Sequence, residues 1–375
     1  MREVAAGLRR LLTEGAPFAL ATTVAVAGSS PRPVGAVMAV AADGEALGSL
    51  SGGCVEGAVY AAGEQALAGS GPILETYGIS DDEAFSVGLT CGGVLTVLVQ
   101  AVGSGTDAAL ARLLAGVLDD LDADTPVALA TVVGGPAPLG ARLVVRSGSV
   151  AGSLGTEGLD AAVTDDARGL LALGQDGTRH YGARGERRVD DVAVLVQSFT
   201  PPPRMLVYGA IDFAAAVARL GAFLGYRVTV CDARPVFATR LRFPDAHEVV
   251  CAWPHDHLSS TTVDARTVIC VLTHDPKFDV PLLEVALRSP AAYVGAMGSR
   301  RTHADRLDRL RELGLSPAEL ARLRSPIGLD LGARTPEETA VSIAAEIVQS
   351  RWGGSGLPLT SADGAIHRST AGARS

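Results

Sequence analysis

The sequence predicts an α/β protein in which a glycine-rich α/β unit, present twice, is followed by a doubly wound domain built on a parallel sheet. Three observations carry this expectation. Apolar runs of strand length alternate with glycine turns in the first part of the chain; short motifs from that part recur, in order, in the next; beyond a run of prolines the pattern becomes strand, helix, strand. The 375 residues exceed what one hydrophobic core usually organises. They are 47% hydrophobic but only 4% aromatic, with 44 dispersed glycines, which suits Ala/Val/Leu layers joined by glycine turns.

The elements follow in chain order. Residues 4–12 have helical spacing, and residues 18–26 are apolar and β-branched enough for a buried strand. A turn-rich stretch, Gly28-Ser29-Ser30-Pro31-Arg32-Pro33, leads to strands at 36–40 and 47–50 around an Asp43-Gly44 turn. Ser51-Gly52-Gly53-Cys54 then opens a helix over 55–68, and Gly88-Leu89-Thr90-Cys91-Gly92-Gly93 precedes a strong strand at 94–99. Within residues 128–199 the unit repeats in worn form. Pro33-Val34-Gly35-Ala36 returns as Pro138-Leu139-Gly140-Ala141, Gly48-Ser49-Leu50 as Gly152-Ser153-Leu154, and Val97-Leu98-Val99-Gln100 as Val194-Leu195-Val196-Gln197. Both cysteines are missing from the second copy.

Thr200-Pro201-Pro202-Pro203-Arg204 reads as a stiff linker, because consecutive prolines fix φ and disfavour helix before them. The expected organisation is a cysteine-bearing unit at 1–102, a second copy at 103–199, the linker at 200–204, a Rossmann-like domain at 205–358 and a flexible tail at 359–375. In that domain a strand at 205–208, a helix at 213–224, a strand at 227–232 and strands near 248–251 and 267–272 imply a parallel, doubly wound sheet. Thr335-Pro336-Glu337-Glu338 signals a long helix, with Thr as cap and Glu closing a capping box.

A formal charge of −9 argues against general nucleic-acid or anionic-membrane binding, either of which needs a basic face. No run approaches the roughly 20 apolar residues of a membrane span, and no signal core follows the first residues, so a cytoplasmic location is expected. Five cysteines in such a chain are expected to be reduced, and none has a tight zinc spacing.

Cys54 lies at or just before a helix start, where free N–H groups and the helix dipole favour a thiolate: a nucleophile, a sulfur carrier or a soft metal ligand. Gly52 and Gly53 clear its approach, and Gly92 and Gly93 do the same beside Cys91. Cys231, Cys251 and Cys270 fall within strands of the second domain and read as core. Arg32, between two prolines, suits an anionic ligand. In Gly209-Ala210-Ile211-Asp212-Phe213-Ala214 only Gly209 and Ala214 fit the dinucleotide fingerprint, so NAD(P) is poorly supported although Asp232 stands where a ribose-binding acid belongs. Gly295-Ala296-Met297-Gly298-Ser299-Arg300-Arg301 is a better phosphate cradle. His274 is a candidate acid or base; His255 and His257, in a proline-containing loop, read as surface residues.

The motifs around Arg32, Ser51-Gly52-Gly53-Cys54-Val55-Glu56 and Cys91 together resemble the XdhC/CoxI family, the xanthine dehydrogenase accessory proteins. The second domain is similar to that family's C-terminal domain through Thr273-His274-Asp275, residues 295–301, Pro326-Ile327-Gly328-Leu329 and Thr335-Pro336-Glu337-Glu338. The resemblance implies a molybdenum cofactor chaperone that works with a cysteine desulfurase and an apo molybdenum hydroxylase, with Cys54 and Cys91 toward the metal and Arg32, Ser51, Gly52, Gly53, Gly92, Gly93, Gly295, Gly298, Ser299, Arg300 and Arg301 around the cofactor. Ile211 and Asp212 depart from the family pattern of Gly and His. The alternatives are a nicotinamide-dependent oxidoreductase and a non-catalytic assembly scaffold; a homo-oligomer is left open.

Overall fold

Each half of the first unit is built on the same plan. In the first half, helix α1 (Ala5–Glu14) precedes β1 (Phe18–Ala27), β2 (Val37–Ala41) and β3 (Ala46–Gly48), then α2 (Glu56–Gln65), β4 (Ile73–Tyr77) and β5 (Val94–Val102). The second half runs α3 (Ala108–Asp122), β6 (Val127–Gly134), β7 (Arg142–Val145), β8 (Val150–Gly152), α4 (Glu157–Leu173), β9 (Gly177–Tyr181) and β10 (Val192–Phe199). The computed structural model describes residues 1–28, 30–78, 93–103, 108–273 and 275–363, and the chain folds as two units, Met1–Pro201 and Pro202–Ser375.

Among the described residues the first unit holds two antiparallel five-stranded sheets, ordered β3-β2-β1-β5-β4 and β8-β7-β6-β10-β9. The register repeats too: Leu20 faces Gln100 in the first sheet as Leu129 faces Gln197 in the second. Duplication in the sequence is therefore duplication in the fold.

One face of each sheet packs on its own helix, β1, β2 and β5 on α2 and β6, β7 and β10 on α4. A further core joins the copies, with Leu8 and Leu11 of α1, Leu114 and Leu118 of α3, Leu20 and Leu129 all buried in it. Beside it Val24, Val34 and Leu98 meet their own counterparts Val133, Leu139 and Leu195. The contact is reciprocal. A Cβ on Gly35 would lie 2.8 Å from Gln197 Nε2, and one on Gly140 would lie 2.8 Å from Gln100 Oε1. The recurring Pro-x-Gly turn is thus needed for the close approach of one copy to the other.

The second unit contains β11 (Arg204–Tyr208), α5 (Asp212–Phe223), β12 (Arg227–Asp232), β13 (Glu248–Cys251), α6 (Pro254–Ser260), β14 (Val268–Val271), α7 (Pro276–Arg288), β15 (Tyr293–Ala296), α8 (Arg300–Glu312), α9 (Pro317–Leu320), β16 (Leu323–Arg324) and α10 (Pro336–Trp352). Its strands are all parallel, in the order β13-β12-β11-β14-β15-β16. That is the order of the doubly wound dinucleotide-binding sheet, with its switch point between β11 and β14. Helices α5 and α10 cover one face and α6, α7 and α8 the other. At the start of α10 Thr335 and Glu338 form the expected capping box. Two details differ from the sequence reading. The α-helix over 55–68 ends at Gln65 and gives way to a wider turn at Ala66–Ser70, and the His255-Asp256-His257 stretch is helical rather than a loop.

Candidate functional site

Antiparallel pairing brings three connections to one end of the first sheet. Ala27 lies opposite Val94, Tyr77 opposite Leu95, and Gly48 opposite Met38, so 28–36, 49–55 and 78–93 all depart from that end. These carry the Arg32 turn, the Cys54 loop and the Cys91 motif. Cys91 and Gly92 lie outside the described residues, as does His274; Gly93 is buried at the entry to β5.

The Cys54 loop is shaped by a residue to which the sequence reading gave no role. Glu56, the first residue of α2, turns its carboxylate back into the loop. It accepts hydrogen bonds from seven donors: Ser49 Oγ (2.7 Å), Leu50 N (3.0 Å), Ser51 N (2.9 Å), Ser51 Oγ (2.6 Å), Gly52 N (3.1 Å), Gly53 N (2.8 Å) and Val55 N (3.2 Å). Gly52 (φ +79°) and Gly53 (φ +119°) adopt left-handed conformations that curl the backbone into this nest. Burial works against the charge, but hydrogen bonds from Ser51, Ser49 and the backbone outweigh it and hold Glu56 far below the usual carboxylate range.

This corrects the expectation of free N–H groups beside Cys54. The loop donors serve Glu56, and the N–H of Cys54 itself is taken by Ser51 Oγ at 3.0 Å. Among the described residues nothing lies within 4 Å of the position a Cβ would take on Gly52 or Gly53, while Cys54 is half-buried against the core under α2.

In the second copy the same loop is closed. Leu154 N donates to Asp160 Oδ1 at 2.7 Å, as Leu50 N donates to Glu56, which makes Asp160 the counterpart of Glu56 and Gly158 that of Cys54. A Cβ on Gly158 would be 2.2 Å from Arg184 O, and one on Gly185 2.3 Å from Gly158 O. Thr156 Oγ1 also donates to Ala183 O at 3.2 Å. The β9–β10 connection is thus seated where the first copy has a thiol.

The predicted cations are placed differently from one another. Arg32 pairs with Glu3 at 2.5 Å, so its charge is already engaged. Arg300 and Arg301 are exposed in the first turn of α8, after Gly298 (φ +150°) and the cap Ser299, whose Oγ accepts from Thr302 N at 3.1 Å. Gly295 does not belong to a cradle. It is buried in β15, where a Cβ would be 2.5 Å from Ile327 and 2.7 Å from Tyr293, so packing explains it.

Below that loop runs a buried network that sequence reasoning missed. Arg306 donates to Asp279 Oδ2 (2.7 Å), to Met297 O (3.0 Å) and to Ser325 Oγ (3.2 Å), and Thr273 Oγ1 donates to Asp279. An Arg in a highly polar helix gives no sequence sign of burial; only the fold brings it over α7.

At the switch point the acidic groups that would meet a dinucleotide are already paired within the protein. A Cβ on Gly209 would collide with the Thr273 backbone at 3.0 Å. Asp232, in the ribose-acid position, accepts from Ala210 N (2.7 Å) and from Arg234 Nε (2.9 Å) and Nη2 (2.8 Å). Burial opposes its ionisation, but Arg234 and the backbone donors keep its pKa low. Asp212 at the start of α5 pairs with Arg242 at 3.2 Å.

Burial pushes the thiols of Cys231 and Cys270 up to about 12, which agrees with core roles, whereas Cys251 is exposed at the end of β13 and departs from that expectation. His257 is not a surface residue: its Nδ1 meets the buried Tyr208 hydroxyl at 3.1 Å. Among the described residues no group of three His, Cys, Asp or Glu side chains is gathered for a metal ion, and no helix is long and apolar enough to cross a membrane.

Known proteins place these features. The XdhC Rossmann domain model matches residues 205–347, and the XdhC and CoxI family model matches 11–78 and 120–182, one segment in each copy. The chain is 28% identical over 340 residues to the molybdenum cofactor insertion chaperone PaoD of Escherichia coli, covering 91% of this chain and 85% of that protein. It is 29% identical over 366 residues to a probable xanthine dehydrogenase subunit of Bacillus subtilis, covering 92% and 96%. A solved structure described as a xanthine dehydrogenase from Bacillus halodurans superposes with a TM-score of 0.59 at 25% identity, over 92% of this chain and 95% of that one. With the cysteine-bearing copy, its worn repeat and the doubly wound domain in the same order, the chain belongs to the XdhC and CoxI family.

Proposed function

We propose that this protein is a molybdenum cofactor chaperone, which binds the cofactor at the Cys54 end of the first sheet, supports its sulfuration with a cysteine desulfurase and passes it to an apo molybdenum hydroxylase of the xanthine dehydrogenase type. The observation that carries the reading is the difference between the copies. One loop carries a thiol beside Gly52 and Gly53, over which no other described residue packs, while its counterpart carries Gly158 under the backbone of residues 183–185.

The donor chemistry fits the cargo. A cysteine sulfur is a soft ligand suited to a molybdenum–sulfur centre. The cargo supplies the redox metal and its dithiolene; the chain's own residues hold and expose it. Cys91 is proposed as the second thiol, since its segment and the Cys54 loop are joined to strands at the same end of the sheet and the equivalent connection of the second copy packs on the Cys54 counterpart. Ser51, Gly52, Gly53, Gly92 and Gly93 would frame the approach. In the second unit, Gly298, Ser299, Arg300 and Arg301 are proposed as an anion contact at the start of α8, whereas Arg32 would need to leave Glu3 to serve as one.

Protein purified from a host that makes the cofactor should carry molybdenum and pterin. Cys54→Ser or Cys91→Ser should lower that content about tenfold, the low end of the cost of disturbing a metal's protein surroundings. Unchanged loading in the double variant would remove the role given to both thiols.

A further inference from the structure

We infer that Glu56 is the positioning residue of the thiol loop, holding Cys54 at the mouth of the site by gathering the surrounding backbone onto one carboxylate. Three features converge on it. Seven donors end on this single side chain, and four of them are the consecutive N–H groups of residues 50–53. The two glycines with positive φ both donate to it, and among the described residues nothing lies within 4 Å of their Cβ positions, so their conformation serves the curl around the carboxylate. The second copy supplies a comparison within the same chain. There the carboxylate is the shorter Asp160, its bond to the loop backbone is that from Leu154 N, and the residue it would position is Gly158.

The nest would otherwise be an anion site, since a run of inward N–H groups draws negative charge. Glu56 fills it from within. Cargo therefore meets the loop through the thiol, with the N–H groups of residues 50–53 reserved for the scaffold. This purpose rests on reading Cys54 as the cargo-facing group, but the positioning role is tested without cofactor, which separates failure of the one from failure of the other.

The experiment is peptide-resolved alkylation of the full chain with iodoacetamide at a single pH, comparing Cys54 with Cys251, the exposed thiol of the second unit. Thermal melting reports the fold of the first unit, and buried Cys231 and Cys270 report that of the second. In Glu56→Gln an amide donor faces backbone donors, and the freed loop should expose Cys54, raising its rate relative to Cys251 about fivefold while Cys231 and Cys270 stay protected. Glu56→Asp keeps the charge but reaches less of the loop, as Asp160 does, and should fall between Glu56→Gln and the unaltered chain. A Cys54:Cys251 ratio unchanged in Glu56→Gln would overturn the inference. Should thermal melting show that Glu56→Gln has lost the fold of the first unit, Ser49→Ala decides instead: removal of that one hydroxyl donor should raise the ratio about twofold, and an unchanged ratio counts against Glu56.

Discussion

His257 shows how a single side chain ties the fold of the second unit to pH. Its ring is partly buried beneath the sheet, with Nδ1 against the Tyr208 hydroxyl and Nε2 3.4 Å from Thr261 Oγ1. Burial lowers its pKa below the ordinary 6.5. The unfolded chain therefore takes up this proton first as pH falls, and stability present above about 6.5 is lost below it. Urea unfolding should show a lower midpoint at pH 5.5 than at pH 7.5, and His257→Asn should flatten that difference; an equal slope in the variant would assign the effect elsewhere. The same scale marks what sequence could and could not reveal. Cys54 stood out because small residues and a thiol at a helix start are a local signal. Glu56 did not, because its seven donors are assembled by the curl of the loop, and His257 was misread because a proline at a helix start was taken for a loop.

Among the elements, α7 and α8 are held by an ion pair removed from water. Arg306 and Asp279 are 3% and 4% exposed at their side chains, so removing either takes a buried opposite charge away from the other. Arg306→Ala or Asp279→Ala should destabilise the second unit by about 3–5 kcal/mol, whereas the double change to Met and Leu should cost far less because no charge is left unpaired. Chemical denaturation of the three variants measures this directly, and additive losses would contradict it. At this scale the sequence was most legible where a period or cap is local: β1, β2, β3 and β5 of the first copy, and the Thr335 box that opens α10. It was least legible where an element's role depends on a neighbour far along the chain. Gly295 illustrates the limit, since a glycine that makes room for Ile327 looks in the sequence like one that makes room for phosphate.

Across the whole molecule, the doubly wound unit keeps the strand order of a dinucleotide binder while spending its key acid on itself. With Asp232 held by Arg234 and Ala210 N, and Asp212 at the start of α5, calorimetry should detect no binding of NAD(H) at concentrations where dinucleotide-binding folds saturate. Tight binding would restore the oxidoreductase reading. Fold order and duplication were readable because motifs recur in sequence. The unequal fates of the copies were readable only as missing cysteines; the seat of Arg184 over Gly158 supplies the physical reason.

The exchanged contacts of Gly35 with Gln197 and Gly140 with Gln100 have the form of an isologous interface, in which position i of one partner meets j of the other and j meets i. In a dimer of identical chains every substitution appears on both sides, so a thiol loop could not be lost on one side and kept on the other. Joining the halves in one polypeptide lifts that coupling. The two halves need not then carry the same chemistry: one loop holds Cys54 and its counterpart holds Gly158, so a symmetric plan gives an asymmetric protein.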